Sequence, residues 1–244
     1  MLKKLIRLNL DDMWIALGVV GGLFLLLHLG TAVVLHFFFA SEHSSLLVSG
    51  AALPFTSAIV ILMISLGHTL AAYTMAVKFS QTRRRALGLT LGLVSFEALC
   101  SMGLAALLTL LERAVAPRFW MWLTGAQYLT VWRGGQGRLD ESPWAATLFV
   151  EDFSLDWWWF PLLAVAAVLL GLIIGAIILR FGRRGGWTIW CIWMLCCFAP
   201  QLGGSTLLVE FSDWLEYLGV LAVVFVVGLL AWSVWYLLRA PIKN

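Results

Sequence analysis

The chain has 244 residues, of which 62% are hydrophobic and only 12% charged, with a mean hydropathy of +0.95. Soluble domains are roughly half apolar and about a quarter charged, so this composition excludes an ordinary water-soluble fold and points to a membrane protein. The net charge of +3 does not mark a nucleic-acid binder, because Lys and Arg fall between apolar runs instead of forming one water-exposed patch. Cys100, Cys191, Cys196 and Cys197 all lie inside apolar stretches without CxxC spacing, and read as small buried apolar residues.

From the N-terminus, Leu2–Asp12 plots at 100° per residue with Lys3, Lys4, Arg7 and Asp11 on one arc and Leu2, Leu5, Ile6, Leu8 and Leu10 opposite. This fits an amphipathic helix lying in the headgroup plane; the alternative is a basic flank that only orients the first span. The apolar run after Met13 covers 27 residues, longer than a signal-peptide core, and is expected to stay in the membrane. Six spans are expected, at Met13–Phe39, Leu53–Val77, Ala86–Leu111, Trp157–Leu179, Trp187–Leu208 and Leu215–Leu238, each near the roughly 20 residues that cross a bilayer. The fold class is therefore all-α, one polytopic transmembrane domain over 1–244. Pro200 and Gly203-Gly204 interrupt the fifth run, which is expected to stop near Ala199 and continue as a broken or re-entrant segment.

Orientation follows from the basic residues. Lys3, Lys4, Arg7, Lys78, Arg83, Arg84, Arg85, Arg180, Arg183, Arg184, Arg239 and Lys243, twelve of the sixteen, fall in the tails and alternate loops that are cytoplasmic if both termini are inside. The short loops Ala40–Ala52 and Val209–Trp214 have none. The remaining four arginines lie in a 44-residue segment, Arg113–Asp156, read as an external loop broken by Pro117, Gly134-Gly135, Gly137 and Pro143. Its part Phe119–Trp132 is either an aromatic surface helix or a loop with Trp and Tyr at the interface. Trp14, Trp157, Trp158, Trp159, Trp187 and Trp214 near the ends of runs fit the interfacial preference of indole. Gly88 with Gly92, and Gly171 with Gly175, have the spacing that lets helices approach closely, within the chain or across a dimer. The two halves share no repeat, against an inverted-repeat transporter.

No G-x-x-x-x-G-K-[ST] occurs, so the sequence offers no P-loop for nucleotide phosphates, and neither H-E-x-x-H nor G-x-S-x-G is present. An intramembrane enzyme has few candidates, namely His28, His36, His68, Glu97, Ser65, Ser95 and Ser101. His68 and Glu97 are the notable intramembrane polar pair. His68 precedes Lys78 by 10 residues and Glu97 follows Arg85 by 12, placing both about 15 to 18 Å from the basic hinge between them. An ionisable group at that depth is expected to be paired or to face water; the pair is read either as a hydrogen-bonded lock between two helices or as part of a substrate path.

The hinge itself, Phe79, Ser80, Gln81, Thr82, Arg83, Arg84 and Arg85, is a topology signal or more. Met75-Ala-Val-Lys-Phe-Ser-Gln-Thr-Arg-Arg-Arg85, with the basic tail Trp235-Tyr-Leu-Leu-Arg-Ala-Pro-Ile-Lys243, resembles the permease subunits of bacterial ABC transporters of the ABC-2 (type V exporter) group. The resemblance implies a bacterial plasma-membrane protein with an interfacial helix at Leu2–Asp12 and an external re-entrant element at Pro200–Asp213. It also implies a coupling segment at Phe79–Arg85 that docks on a separate ABC ATPase subunit. ATP and Mg belong to that partner, this chain having no cofactor and no catalytic or metal-binding residue of its own; a second permease subunit, identical or not, completes the path. The 44-residue outer segment departs from the compact arrangement expected of that group. The alternative function is a non-transport accessory or sensor protein that binds a partner through its external Trp-rich segment.

Overall fold

A computed structural model describes residues 10–37, 44–78, 82–133, 147–210 and 215–239, with backbone alone at 35, 44–46, 196–197, 199–210 and 215–223. The expected interfacial helix, but for Leu10–Asp12, lies outside the described residues, as do Phe79, Ser80, Gln81 and 211–214. The element order is α1 (Leu10–Phe37), β1 (Ser44–Leu47), α2 (Ser49–Leu70), α3 (Ala72–Lys78), α4 (Arg83–Thr124), β2 (Tyr128–Arg133), β3 (Thr147–Asp152), α5 (Trp159–Phe181), α6 (Arg183–Glu210) and α7 (Leu215–Arg239). Among the described residues four helical stretches are long and apolar enough to cross a membrane: Leu10–Val34, Ser49–Lys78, Arg83–Thr124 and Trp159–Phe181. The chain is thus a mostly helical, membrane-embedded protein.

Helix formation tracks the apolar runs because a peptide group in hydrocarbon must be satisfied within its own segment. Ala71 marks a single-residue break between α2 and α3, yet the i to i−4 ladder continues through it, from Ala71 N–H to the Gly67 carbonyl and from Met75 N–H to the Ala71 carbonyl. At the break the Thr74 hydroxyl donates to the carbonyls of Leu70 and Ala71 at 2.7 and 2.9 Å, the kind of side-chain intrusion that bends a helix. Gly182, at φ 59°, supplies the left-handed residue that turns α5 into α6.

Two segments differ from the sequence expectation. The helix expected to end at Leu111 runs on to Thr124 as α4, a single helix of 42 residues containing Pro117, about 63 Å long. Proline inside a helix costs about 3 kcal/mol; here the turn that contains it is held by burial of Ala116 and Trp120. Beyond α4 the chain enters strand β2 at Tyr128, so Phe119–Trp132 is neither a surface helix throughout nor a loop. Likewise the α6 backbone stays helical from Arg183 to Glu210, through Pro200 and Gly203-Gly204, where a break near Ala199 was expected; glycine and proline are tolerated within membrane helices.

The residues fall into two compact units, Met1–Ile61 with Ser95–Ala167 and Leu62–Val94 with Val168–Asn244. In the first, a three-stranded parallel sheet of order β1-β3-β2 pairs Leu47 with Asp152 and Tyr128 with Thr147. Thirteen residues, 134–146, separate β2 from β3, enough for the crossover that a parallel return requires. Leu148 and Val150, two apart and so on one face of β3, are fully buried with Leu47, Ala116 and Trp120. The sheet is thereby tied to the far end of α4.

In the second unit, Tyr73, Ala86, Leu87, Leu172, Ala176 and Leu237 form one buried cluster, and the Tyr73 hydroxyl donates to the Leu237 carbonyl. Nearby, α2 and α5 meet closely at small residues: a Cβ on Gly171 would lie 2.5 Å from the Ser65 Cβ and 2.8 Å from the Leu62 carbonyl oxygen, and one on Gly175 2.5 Å from the Thr69 Cγ2. The Ser65 hydroxyl donates to the Val168 carbonyl at 2.9 Å. This glycine pair therefore serves a contact within the chain. Gly171→Ala is expected to lower stability by about 1–3 kcal/mol through overpacking. Gly88→Ala, whose Cβ meets nothing within 4 Å, should instead gain up to about 1 kcal/mol of helix propensity; thermal unfolding in mild detergent measures both.

Candidate functional site

Of the basic hinge, Thr82 to Arg85 are described. The Thr82 carbonyl accepts the Ala86 N–H at 2.9 Å, which makes Thr82 the cap position of α4 and Arg83, Arg84 and Arg85 its first turn. Arg84 and Arg85 are exposed and Arg83 is half-buried. Three cations on a first turn oppose the helix macrodipole, whose positive end is there. The next two residues are anchored: Ala86 is fully buried and Leu87 nearly so, against Tyr73, Leu172, Ala176 and Leu237. A local electrostatic penalty is thus fixed on a rigid mount, and helix stability does not account for it.

His68 lies on α2 in the second unit and Glu97 on α4 in the first. Their exposures are 7% and 2%, and each has an interaction partner, as buried ionisable groups require. The serines singled out for catalysis divide differently. Ser65 gives its hydroxyl to the Val168 carbonyl, Ser101 and Ser57 share a hydrogen bond of 2.9 Å, and Ser95 is exposed. His36 is exposed, its ring edge-on to Phe37.

The first unit holds a polar cluster that sequence reasoning missed, around Glu112 on α4, which is 4% exposed. Its Oε1 accepts the Ser49 hydroxyl at 2.9 Å and the Ser49 N–H at 3.4 Å. Because the Val48 carbonyl accepts the Ala52 N–H, Ser49 is the first residue of α2, and the carboxyl group caps a helix N-terminus that faces protein instead of water. Around it, Arg113 reaches Asp152 at 3.4 Å and stacks over the Trp157 ring at 5.3 Å. Asp152 in turn accepts from the backbone N–H and the hydroxyl of Ser154. Gly50 makes the approach possible, since a Cβ there would lie 2.3 Å from the Ser154 Cβ. Arg133 pairs with Asp156 at 2.8 Å on the exposed side.

His28 on α1 completes the cluster. Its Nδ1 is 2.9 Å from the Phe24 carbonyl oxygen, which can only accept, so Nδ1 carries hydrogen. Its Nε2 lies 3.6 Å from Glu112 Oε1, which brings the ring of α1 beside the carboxyl group of α4. Glu112 Oε2 and the indole N–H of the fully buried Trp120 have no hydrogen-bond partner among the described residues. The His28 ring stacks on Trp120 at 6.2 Å.

A signal for this cluster is present in the sequence. Ala98, Ser101, Ala105, Thr109, Glu112, Ala116 and Trp120 are all buried and succeed one another at steps of three or four, the period of one helix face. That stripe passes unbroken through Leu111, where the charges of Glu112 and Arg113 suggest that a span ends.

No family model, curated protein or solved structure matches the chain. Among the described residues, no three His, Cys, Asp or Glu side chains converge as a metal site.

Glu112→Ala strips the start of α2 of its acceptor and should cost about 1–3 kcal/mol, the penalty of an unsatisfied buried donor. Glu112→Gln keeps a carbonyl oxygen that can accept from Ser49 at the same position, and should retain most of that stability. Chemical denaturation of the two variants in detergent measures the difference.

Proposed function

We propose that this chain is the membrane-spanning permease subunit of an ATP-driven exporter, with six spans, both termini cytoplasmic and the translocation path shared with a second permease subunit. The 79–85 segment docks on a separate ATP-binding subunit, which holds ATP and Mg; the membrane is the bacterial plasma membrane. The observation that carries this reading is Arg83–Arg85 in the first turn of a 42-residue helix, an arrangement the helix itself disfavours and an acidic docking surface favours. The anchoring of Ala86 and Leu87 in the buried cluster supports a lever role, since a push on a rigidly held first turn is passed to the helix as rigid-body motion.

The test begins with mass spectrometry of the affinity-purified chain from native membranes, where a P-loop ATPase is expected. Arg83→Glu, Arg84→Glu and Arg85→Glu together should abolish its co-purification and stimulated ATP hydrolysis, while leaving insertion and thermal stability intact because acidic residues suit a helix N-terminus. Unchanged co-purification and ATPase stimulation in this variant would refute the docking role. The exposure of Trp122, at 76%, and of Phe119, at 42%, favours a second reading, an accessory protein that holds a partner by its outer aromatic residues. Capture of a partner lost on Trp122→Ala, without any ATPase, is the outcome that selects it.

A further inference from the structure

The turn from α5 to α6 carries a cleft of about 610 Å³ lined by Ile178, Gly182, Arg183, Gly186, Trp187 and Trp190. It combines three properties. One wall is aromatic: the Trp187 and Trp190 rings meet edge to face at 5.6 Å, and both side chains are about half exposed, an amphipathic surface of the kind found at the lipid–water boundary. The floor is open, because Gly182 and Gly186 carry no side chain and a Cβ on Gly186 would meet nothing within 4 Å; glycine at 186 is thus not demanded by packing. The rim is cationic. Arg183 lines the cleft, and Arg184 adjoins it in sequence, both exposed, whereas Arg180 is occupied over the rings of Phe181 and Tyr236.

Charge balance decides what fits. No Asp or Glu occurs from residue 157 to residue 209, so neither α5 nor the length of α6 before its last residue brings a counter-ion to this rim. Arg183 and Arg184 have no acidic partner among the described residues. A guanidinium binds phosphate by paired N–H donors. A zwitterionic headgroup would bring an ammonium toward the same arginines, with no carboxylate on α5 or on α6 before Glu210 to receive it. The geometry points to a binding site for one anionic phospholipid: its phosphate on Arg183 at the rim, its acyl chain over Gly186 and along Ile178 and Trp190. Basic pockets beside membrane helices hold anionic headgroups on these grounds, and the inference stands whether or not the chain is a permease.

The test is native mass spectrometry of the purified chain in mild detergent with equimolar phosphatidylglycerol and phosphatidylethanolamine. One phosphatidylglycerol should be retained per chain, in preference to phosphatidylethanolamine by about fivefold or more, the ratio that a single basic residue's attraction to an anionic lipid corresponds to. Arg183→Gln removes the charge, and Gly186→Leu places a side chain on the floor with the charge intact, at a position where a Cβ meets nothing within 4 Å; each should erase the preference. Arg118→Gln, a basic residue that does not line the cleft, should leave it unchanged. Equal retention of the two lipids, persistence of the preference in either cleft variant, or an equal loss in Arg118→Gln overturns the site. Unfolding temperatures recorded in parallel confirm that the variants compared are folded.

Discussion

Inside a bilayer no water is available to a bare peptide group, so each N–H and C=O must be satisfied by the chain itself. Most of the fold obeys that requirement. The long apolar runs are helical because only a helix closes its own ladder, and Pro54, Pro117 and Pro200 are absorbed into helices instead of ending them. Where a helix begins against protein, its free N–H groups need an acceptor, and the start of α2 takes one from a different helix, at Glu112. The short parallel sheet meets the same need by another route, each strand borrowing its partners from segments far away in sequence.

Lipid chains offer helices no reason to associate beyond fit and polar contact. The packing of α2 on α5 shows both, with Gly171 and Gly175 removing the side chains that would hold the backbones apart and the Ser65 hydroxyl crossing to a carbonyl of the neighbour. In the other unit the fit is between a sheet face and a helix, at Leu148, Val150 and Trp120, and Gly50 plays the part of Gly171 by admitting Ser154.

Composition and run length made the membrane class and the helical character legible from the sequence, because twenty apolar residues have few alternatives. The hinge arginines were legible as residues, but their place on the first turn of α4 depends on where the helix starts, which only Thr82 and its carbonyl define. Less could be read beyond Leu111. Glu112 and Arg113 look like the end of a span by charge, although the buried stripe from Ala98 to Trp120 continues through them. The strands were hidden because they are four to six residues long and β1 pairs with residues more than a hundred positions away. A local pattern does not carry that information. The partners that gather around Glu112 were hidden for the same reason, since they come from α1, α2 and β3, although its own place on a buried helix face was not.

Within the first unit, Glu112 is a keystone shared by three helices. Its one carboxyl oxygen on α4 receives the hydroxyl and the backbone N–H of Ser49 at the start of α2 and lies 3.6 Å from His28 of α1. Loss of that single side chain would therefore release a helix start and a neighbouring helix together, so the integrity of three segments hangs on one atom.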